Sequence, residues 1–213
     1  MILENLDPSY CEKVIYGWLQ LATSRVRSEG VYWYSIAHTI AEGLAIDYSV
    51  PLDRVCAVIA TLSPGCNWEQ NVVDSETVIR AFVSGLEPED IQVSTYNPQK
   101  QKAFLILRLP PSAPRSEILR LIGLESARKT RAFFDNILDP DHSQDVTIDR
   151  WIARAVLLQQ NATHPTEKTY ALIRSAFQRV AVGLELRPCQ VQAIVWLVIR
   201  DRGLDHAAQQ YLF

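Results

Sequence analysis

The stretch LRLIGLESARKTRAFFDNILDPDHSQDVTIDRWIARA, residues 119–155, decides how this chain is read. Two apolar patterns at helical spacing flank a tight turn near Gly123, and the second helix opens with the basic cluster Arg128, Lys129 and Arg131. Twenty residues after Lys129, a polar loop ends in Thr147-Ile148-Asp149 and a third helix begins. A lysine and a carboxylate therefore both stand at helix starts. Backbone N–H groups point outward there and can hold a phosphate.

Helix signals continue on both sides of this stretch. Asp7-Pro8 is a cap followed by a first-turn proline, and Val14, Ile15, Trp18, Leu19, Ala22 and Val26 follow at helical spacing up to Gly30, read as the stop. A second helix is expected over 31–47, with Ile36, Ile40 and Leu44 facing inward. Tyr32-Trp33-Tyr34 at its start either stack on bases or pack in the core, the latter favoured for at least two of them. Ser49-Val50-Pro51 starts a third helix whose body, Val55 to Leu62, is apolar on nearly all sides and reads as central. Ser63-Pro64-Gly65 makes a turn, Asn67 caps a helix reaching Gly85, and Pro88 to Ile91 adds a short turn. Asn97-Pro98 starts the helix bearing Lys100 and Lys102, Pro110-Pro111 ends it, and Pro114 introduces a short helix leading to Gly123. Beyond Asp149, helices are expected from Trp151, from the Thr163–Pro165 region to Val182-Gly183, and from Pro188 onward. No long stretch alternates with period two. The expectation is an all-α protein of about nine to eleven helices, a single domain over residues 1–213, with two lobes around a cleft.

The apolar share of 48% and charged share of 21% are those of an ordinary globular chain. No apolar run approaches the roughly 18 residues a membrane span needs, and the N-terminus has no signal-peptide pattern, so a cytoplasmic protein with no membrane partner is expected. Cys11, Cys56, Cys66 and Cys189 are widely spaced, which suits reduced, buried thiols and no metal cluster. His38, His142, His164 and His206 show no metal-ligand spacing, and no cofactor is expected. Net charge is −3, but unevenly spread: residues 1–99 carry −8, residues 100–131 carry +6, and residues 132–213 carry −1. The basic segment contains the hairpin. It reads either as a phosphate-binding face or as ordinary solvated helix surface.

Five landmarks, in order and at similar spacing, resemble the helix-hairpin-helix (HhH-GPD, endonuclease III-like) DNA glycosylase superfamily over about residues 55–203. Leu62-Ser63-Pro64 resembles the family's LSxQ element, and Tyr96-Asn97 with Lys102-Ala103 resembles YNxKA. Leu121, Gly123, Lys129 and Thr130 resemble the LPGVGRKTA hairpin, and Ile148-Asp149-Arg150 with Arg154 resembles VDTHVxRV. Gln192 to Gly203 resembles the late helix behind the site. The chain is also similar to a set of small phage and bacterial proteins that share LSPxxxWxxN (here Leu62, Ser63, Pro64, Trp68 and Asn71), KxxxF (Lys129, Phe133) and TxDRW (Thr147, Asp149, Arg150, Trp151). The hairpin departs from the family pattern: Gly123 stands alone, Leu-Glu-Ser-Ala intervenes and adds two residues, and Glu125 falls where a phosphate should approach. The family's inserted glutamine has no equivalent near Gly65, and its iron–sulfur cysteines are missing.

The resemblance implies a two-lobed, compact all-α fold, double-stranded DNA as partner, and excision of a damaged or modified base, with or without strand cleavage. Lys129 carries over as the Schiff-base nucleophile, its protonated form disfavoured by neighbouring Arg128 and Arg131. Asp149 carries over as the carboxylate that stabilises positive charge on the sugar. Gly123, Arg128, Thr130, Arg131, Arg150, Lys100 and Lys102 are the expected DNA contacts, holding phosphates while the target base leaves the stack. Alternatives stand beside each role. Asp149 also suits a plain N-cap, and Lys129 a phosphate contact or a surface lysine. Trp68 reads as core or cleft wall more than as a base wedge, and Asn71 as a brace for the Ser63-Pro64 turn. At the level of the whole protein, the alternative to a glycosylase is a non-catalytic DNA-binding or protein-interaction protein that retains the fold.

Overall fold

In a computed structural model, which describes residues 7–123, 127–159 and 165–204, the described residues form ten α-helices, one 3-10 turn and no strand. The helices are α1 (Pro8–Gln20), α2 (Ser24–Tyr48), α3 (Leu52–Leu62), α4 (Trp68–Val83), α5 (Asn97–Leu107), α6 (Arg115–Ile122), α7 (Arg128–Leu138), α8 (Arg150–Leu157), α9 (Glu167–Gly183) and α10 (Pro188–Arg202), with the 3-10 turn at Pro88–Asp90. The all-α expectation is met. Among the described residues, no single helix is long and apolar enough to cross a membrane. The expected helix start at Thr163, together with Glu125, His164 and His206, lies outside the described residues.

The chain divides into two compact units. One is contiguous, Ile36–Asp139; the other joins Met1–Ser35 to Pro140–Phe213. In the contiguous unit α3 is the hub, touching α4, α5, α6 and α7, and every residue from Arg54 to Leu62 is buried. A helix covered on all sides needs the all-round apolar sequence that Val55–Leu62 supplies. Arg54, 1% exposed, is the exception. Its guanidinium donates to Asp53 at 2.8 Å and to the carbonyls of Pro110 and Ala113 at 3.1 and 3.3 Å. One buried cation thus fastens the proline turn after α5 to the start of α3, its charge offset by Asp53 and its Nη2 bonded to that turn's carbonyls.

In the other unit α1 packs on α8, α9 and α10, and α10 also packs on α8 and α9. Cys11, Val14, Ile15, Trp18 and Leu19 of α1 share a core with Phe177, Val180, Val195 and Val198. Trp18 Nε1 donates to the carbonyl of Ala155 at 3.2 Å. A buried network of Tyr34 Oη with Thr147 Oγ1 (2.9 Å) and Gln192 Oε1 (2.7 Å) secures the turn that precedes α8. Tyr34 and Trp33 pack inward, the latter edge-on to Trp196 at 6.1 Å, while Tyr32 is exposed.

Two details differ from the sequence expectation. The first helix ends at Gln20, not at Gly30; α2 begins at Ser24, with Thr23 Oγ1 accepting from the N–H of Val26 at 3.3 Å, and runs unbroken through Gly30. Arg27 donates to the carbonyl of Leu19 at 2.6 Å, joining the N–H of Ala22 (3.1 Å) on that acceptor and tying the start of α2 to the end of α1. Gly30 is glycine for close approach rather than for stopping. A Cβ there would lie 2.4 Å from Cγ1 and 2.7 Å from Cα and N of Ile194. With no break at residue 30, the phase of α2 also differs: Tyr34, Ala37, Ala41 and Leu44 are buried, and Ile36, expected inside, is 54% exposed.

Gly30 and Gly43 share one helix but not one environment, since nothing lies within 4 Å of a Cβ built at Gly43. Gly43→Ala should stabilise the protein by about 0.5–1 kcal/mol through helix propensity alone. Gly30→Ala should destabilise it by about 2 kcal/mol, because backbone of α10 must move to admit the methyl. Chemical denaturation midpoints of the two variants check the opposite signs.

Candidate functional site

The C-terminal end of α3 is buried, so water cannot satisfy its last carbonyls. The LSPxxxWxxN element does so instead. Ser63 donates to the carbonyl of Ala60 through its N–H (3.4 Å) and its Oγ (2.8 Å). Cys66 Sγ donates to Leu62 at 3.2 Å, and Asn71 Nδ2, from the first turn of α4, donates to Ile59 at 3.1 Å. Asn67 caps α4 by accepting from the N–H of Gln70 at 2.8 Å. The connecting turn needs a glycine: Gly65 has φ +84, with the ring of Tyr96 lying against it. Thr95 Oγ1 donates to the carbonyl of Pro64 at 2.5 Å. Asn71 is thus a brace on α3 itself, rather than on the Ser63-Pro64 turn that follows.

The KxxxF element meets this braced loop. Lys129 Nζ donates to Ser63 Oγ at 2.6 Å and lies 5.2 Å from the centroid of the Phe133 ring, which sits one turn further along α7. Phe133 in turn packs edge-on against Trp68 at 6.4 Å. Two motifs more than sixty residues apart in sequence therefore build one cluster of Ser63, Trp68, Lys129 and Phe133. Trp68 is half-buried and forms its wall. Lys129 is the second residue of α7, half-buried, with Arg128 before it and Thr130 and Arg131 after it. Gly123 ends α6 with φ 117 and ψ 124, a conformation that side chains rarely adopt.

Asp149 belongs to the other unit. It is the N-cap of α8, Oδ1 accepting from the N–H of Ile152 at 2.8 Å. Arg150 is exposed, and with Arg154 it flanks the ring of Trp151 at 5.8 and 5.6 Å.

The basic segment looks different in three dimensions. Lys100 is 8% exposed and donates to the carbonyl of Ile91 at 2.8 Å; Lys102 donates to Ile122, at the end of α6, at 3.3 Å. Arg108, Arg115 and Arg120 pair with Glu87, Asp135 and Glu117. Lys100, Lys102, Arg108, Arg115 and Arg120 thus each have a partner within the protein, as Lys129 does, so much of the positive charge of residues 100–131 is answered locally. Lys100 and Lys102 act here as structural donors. Among the described residues, no group of three or more His, Cys, Asp and Glu could hold a metal ion.

Ser63 is the partner of Lys129 that the sequence did not single out. The i, i+4 spacing of Lys129 and Phe133 was visible; the contact with Ser63 depends on α3 meeting α7. Burial pushes the thiol of Cys66, beside this cluster, above its ordinary value, and raises Cys11 and Cys189 to about 11.

Fold and site together define an all-α protein in which a braced helix end holds a lysine of the first turn of α7. By the match of residues 4–203, the chain belongs to the DUF7178 family of unknown function. No curated protein and no solved structure matches it.

Two measurements check the cluster. Loss of the Ser63 hydroxyl removes a hydrogen bond to an amine, an interaction worth about 1.5 kcal/mol. Ser63→Ala should therefore raise the rate of amine labelling at Lys129 about tenfold relative to Lys13, read by peptide mass spectrometry. Cys66 is half-buried, whereas Cys11, Cys56 and Cys189 are fully buried. The native protein should thus show one thiol accessible to iodoacetamide, with a rate still rising above pH 9 because its raised pKa delays the thiolate, and three more after denaturation.

Proposed function

We propose that the protein is a DNA-binding enzyme of the base-excision type, a DNA glycosylase acting on a damaged or modified base. The observation that supports this reading is the α6–α7 hairpin. Gly123 ends α6 in a conformation that side chains rarely adopt, and α7 opens with Arg128, Lys129, Thr130 and Arg131, placing cations and backbone N–H groups at one helix start. Lys129 takes the nucleophile's part in a lyase form of the reaction. Its neutral amine bonds to the sugar C1′ as the glycosidic bond breaks and the base leaves with a proton; the C1′–O4′ bond then opens, O4′ taking up a proton, and the resulting imine is reducible by borohydride. Asp149 takes the charge-stabilising part in a purely hydrolytic form. DNA contacts fall to Gly123, Arg128, Thr130, Arg131 and Arg150.

A second reading, a DNA-binding protein that retains the fold without the chemistry, is favoured by how both groups are engaged. The Lys129 amine is taken up by Ser63 and the Phe133 ring, and Asp149 Oδ1 by the α8 cap.

A borohydride trap on duplexes carrying uracil, an oxidised purine, 5-hydroxymethyluracil or an abasic site, with alkali-treated parallels, separates the readings. The lyase form yields a covalent adduct absent from Lys129→Ala. The hydrolytic form yields alkali-revealed breaks without an adduct, lost in Asp149→Asn. Because asparagine caps as well as aspartate, that variant should keep its stability. Salt-sensitive DNA affinity with neither product supports the second reading, and no DNA affinity overturns both.

A further inference from the structure

Trp151 is 43% exposed although it belongs to a helix whose other apolar residues, Ile152, Ala153, Ala155, Val156 and Leu157, are buried. Its exposed part faces water at a helix start, and two guanidiniums, Arg150 and Arg154, lie over its ring at 5.8 and 5.6 Å. These distances are near the outer limit of about 6 Å for a cation–π contact. An exposed contact of that kind is worth less than stacking of a nucleobase on an indole, so a base can displace a guanidinium and leave it to meet a phosphate.

The platform is held in place from beneath. Thr147, two residues before the cap, is buried and bonded to Tyr34, which also bonds Gln192 of α10; Asp149 then closes the first turn of α8 on Ile152. The ring therefore projects from a fixed helix start rather than from a loop, and ordering it on binding costs little entropy. Two cations with an aromatic face between them match a chain that alternates phosphates with flat aromatic rings, which singles out nucleic acid among macromolecular partners.

We infer that Trp151, with Arg150 and Arg154, is a stacking contact for an unpaired nucleobase and its flanking phosphates. This rests on the nucleic-acid-binding part of the function proposed above, not on its chemistry. It assigns a role to the tryptophan of the TxDRW element that neither excision nor core packing requires.

The test is fluorescence anisotropy with the full chain, a labelled single-stranded 12-mer, and a duplex with and without one unpaired base, over a salt series. Trp151→Ala should weaken binding of the single strand and of the unpaired-base duplex by about tenfold, and leave the fully paired duplex nearly unchanged. Trp151→Phe should retain most of the affinity. Arg150→Ala/Arg154→Ala should flatten the salt dependence of single-strand binding by a slope of about 1.4. Unchanged circular dichroism in each variant establishes that folding is intact, as expected for exposed side chains. Equal single-strand affinity in wild type and Trp151→Ala overturns the inference while leaving the proposed function standing. A wild type that binds none of the three probes overturns both.

Discussion

A buried helix end must have its carbonyls answered, and in the contiguous unit that requirement shapes everything around α3. Its last turn has no water to turn to, so side chains from the next ten residues do the work: Ser63 on Ala60, Cys66 on Leu62 and Asn71 on Ile59. Each bond contributes about 1 kcal/mol, but leaving a buried carbonyl unanswered costs about 1–3 kcal/mol. The asymmetry explains why the loop has a fixed course with a positive-φ glycine at its corner. The same fixed course brings Ser63 Oγ to Lys129 and Trp68 to Phe133. The arrangement around the lysine is thus a by-product of terminating a helix in a core.

Much of this was legible in the chain. Helix starts carry local signals, and Asp7, Asn67 and Asp149 act as the caps their identity suggests because capping is decided within three residues. The centrality of α3 followed from its all-round apolar composition. What depends on distant partners was not legible. Gly30 has the composition of a stop, yet α2 continues through it, and the glycine is there because Ile194 of α10 takes the space a side chain would need. The actual break, at 21–23, has neither glycine nor proline and is marked only by Thr23. Misplacing that break rotated the expected inner face onto Ile36.

The site was legible in part for the same reason. Lys129 and Asp149 stand at helix starts as their surroundings indicated, but the partner of the lysine comes from an element sixty-six residues earlier. Summing charge along residues 100–131 treats every cation as available. Arg115 meets Asp135 and Arg108 meets Glu87 only because the chain folds back, so a one-dimensional sum overstates the basic surface. Arg54 is the counterpart on the acidic side: a buried cation in a strongly acidic segment, visible in sequence only as an arginine in an apolar run.

The division of the chain has a consequence for how the protein is made. The unit 36–139 can be completed as soon as it leaves the ribosome, whereas α1 must wait for α9 and α10 to cover its apolar face. Roughly 150 residues separate the end of α1 from the start of α9. At the usual ~5–20 residues per second, Val14, Ile15, Trp18 and Leu19 remain uncovered for on the order of ten seconds during synthesis. α1 is made well before the helices that cover it, so its apolar face is the part of that unit most in need of a chaperone during synthesis.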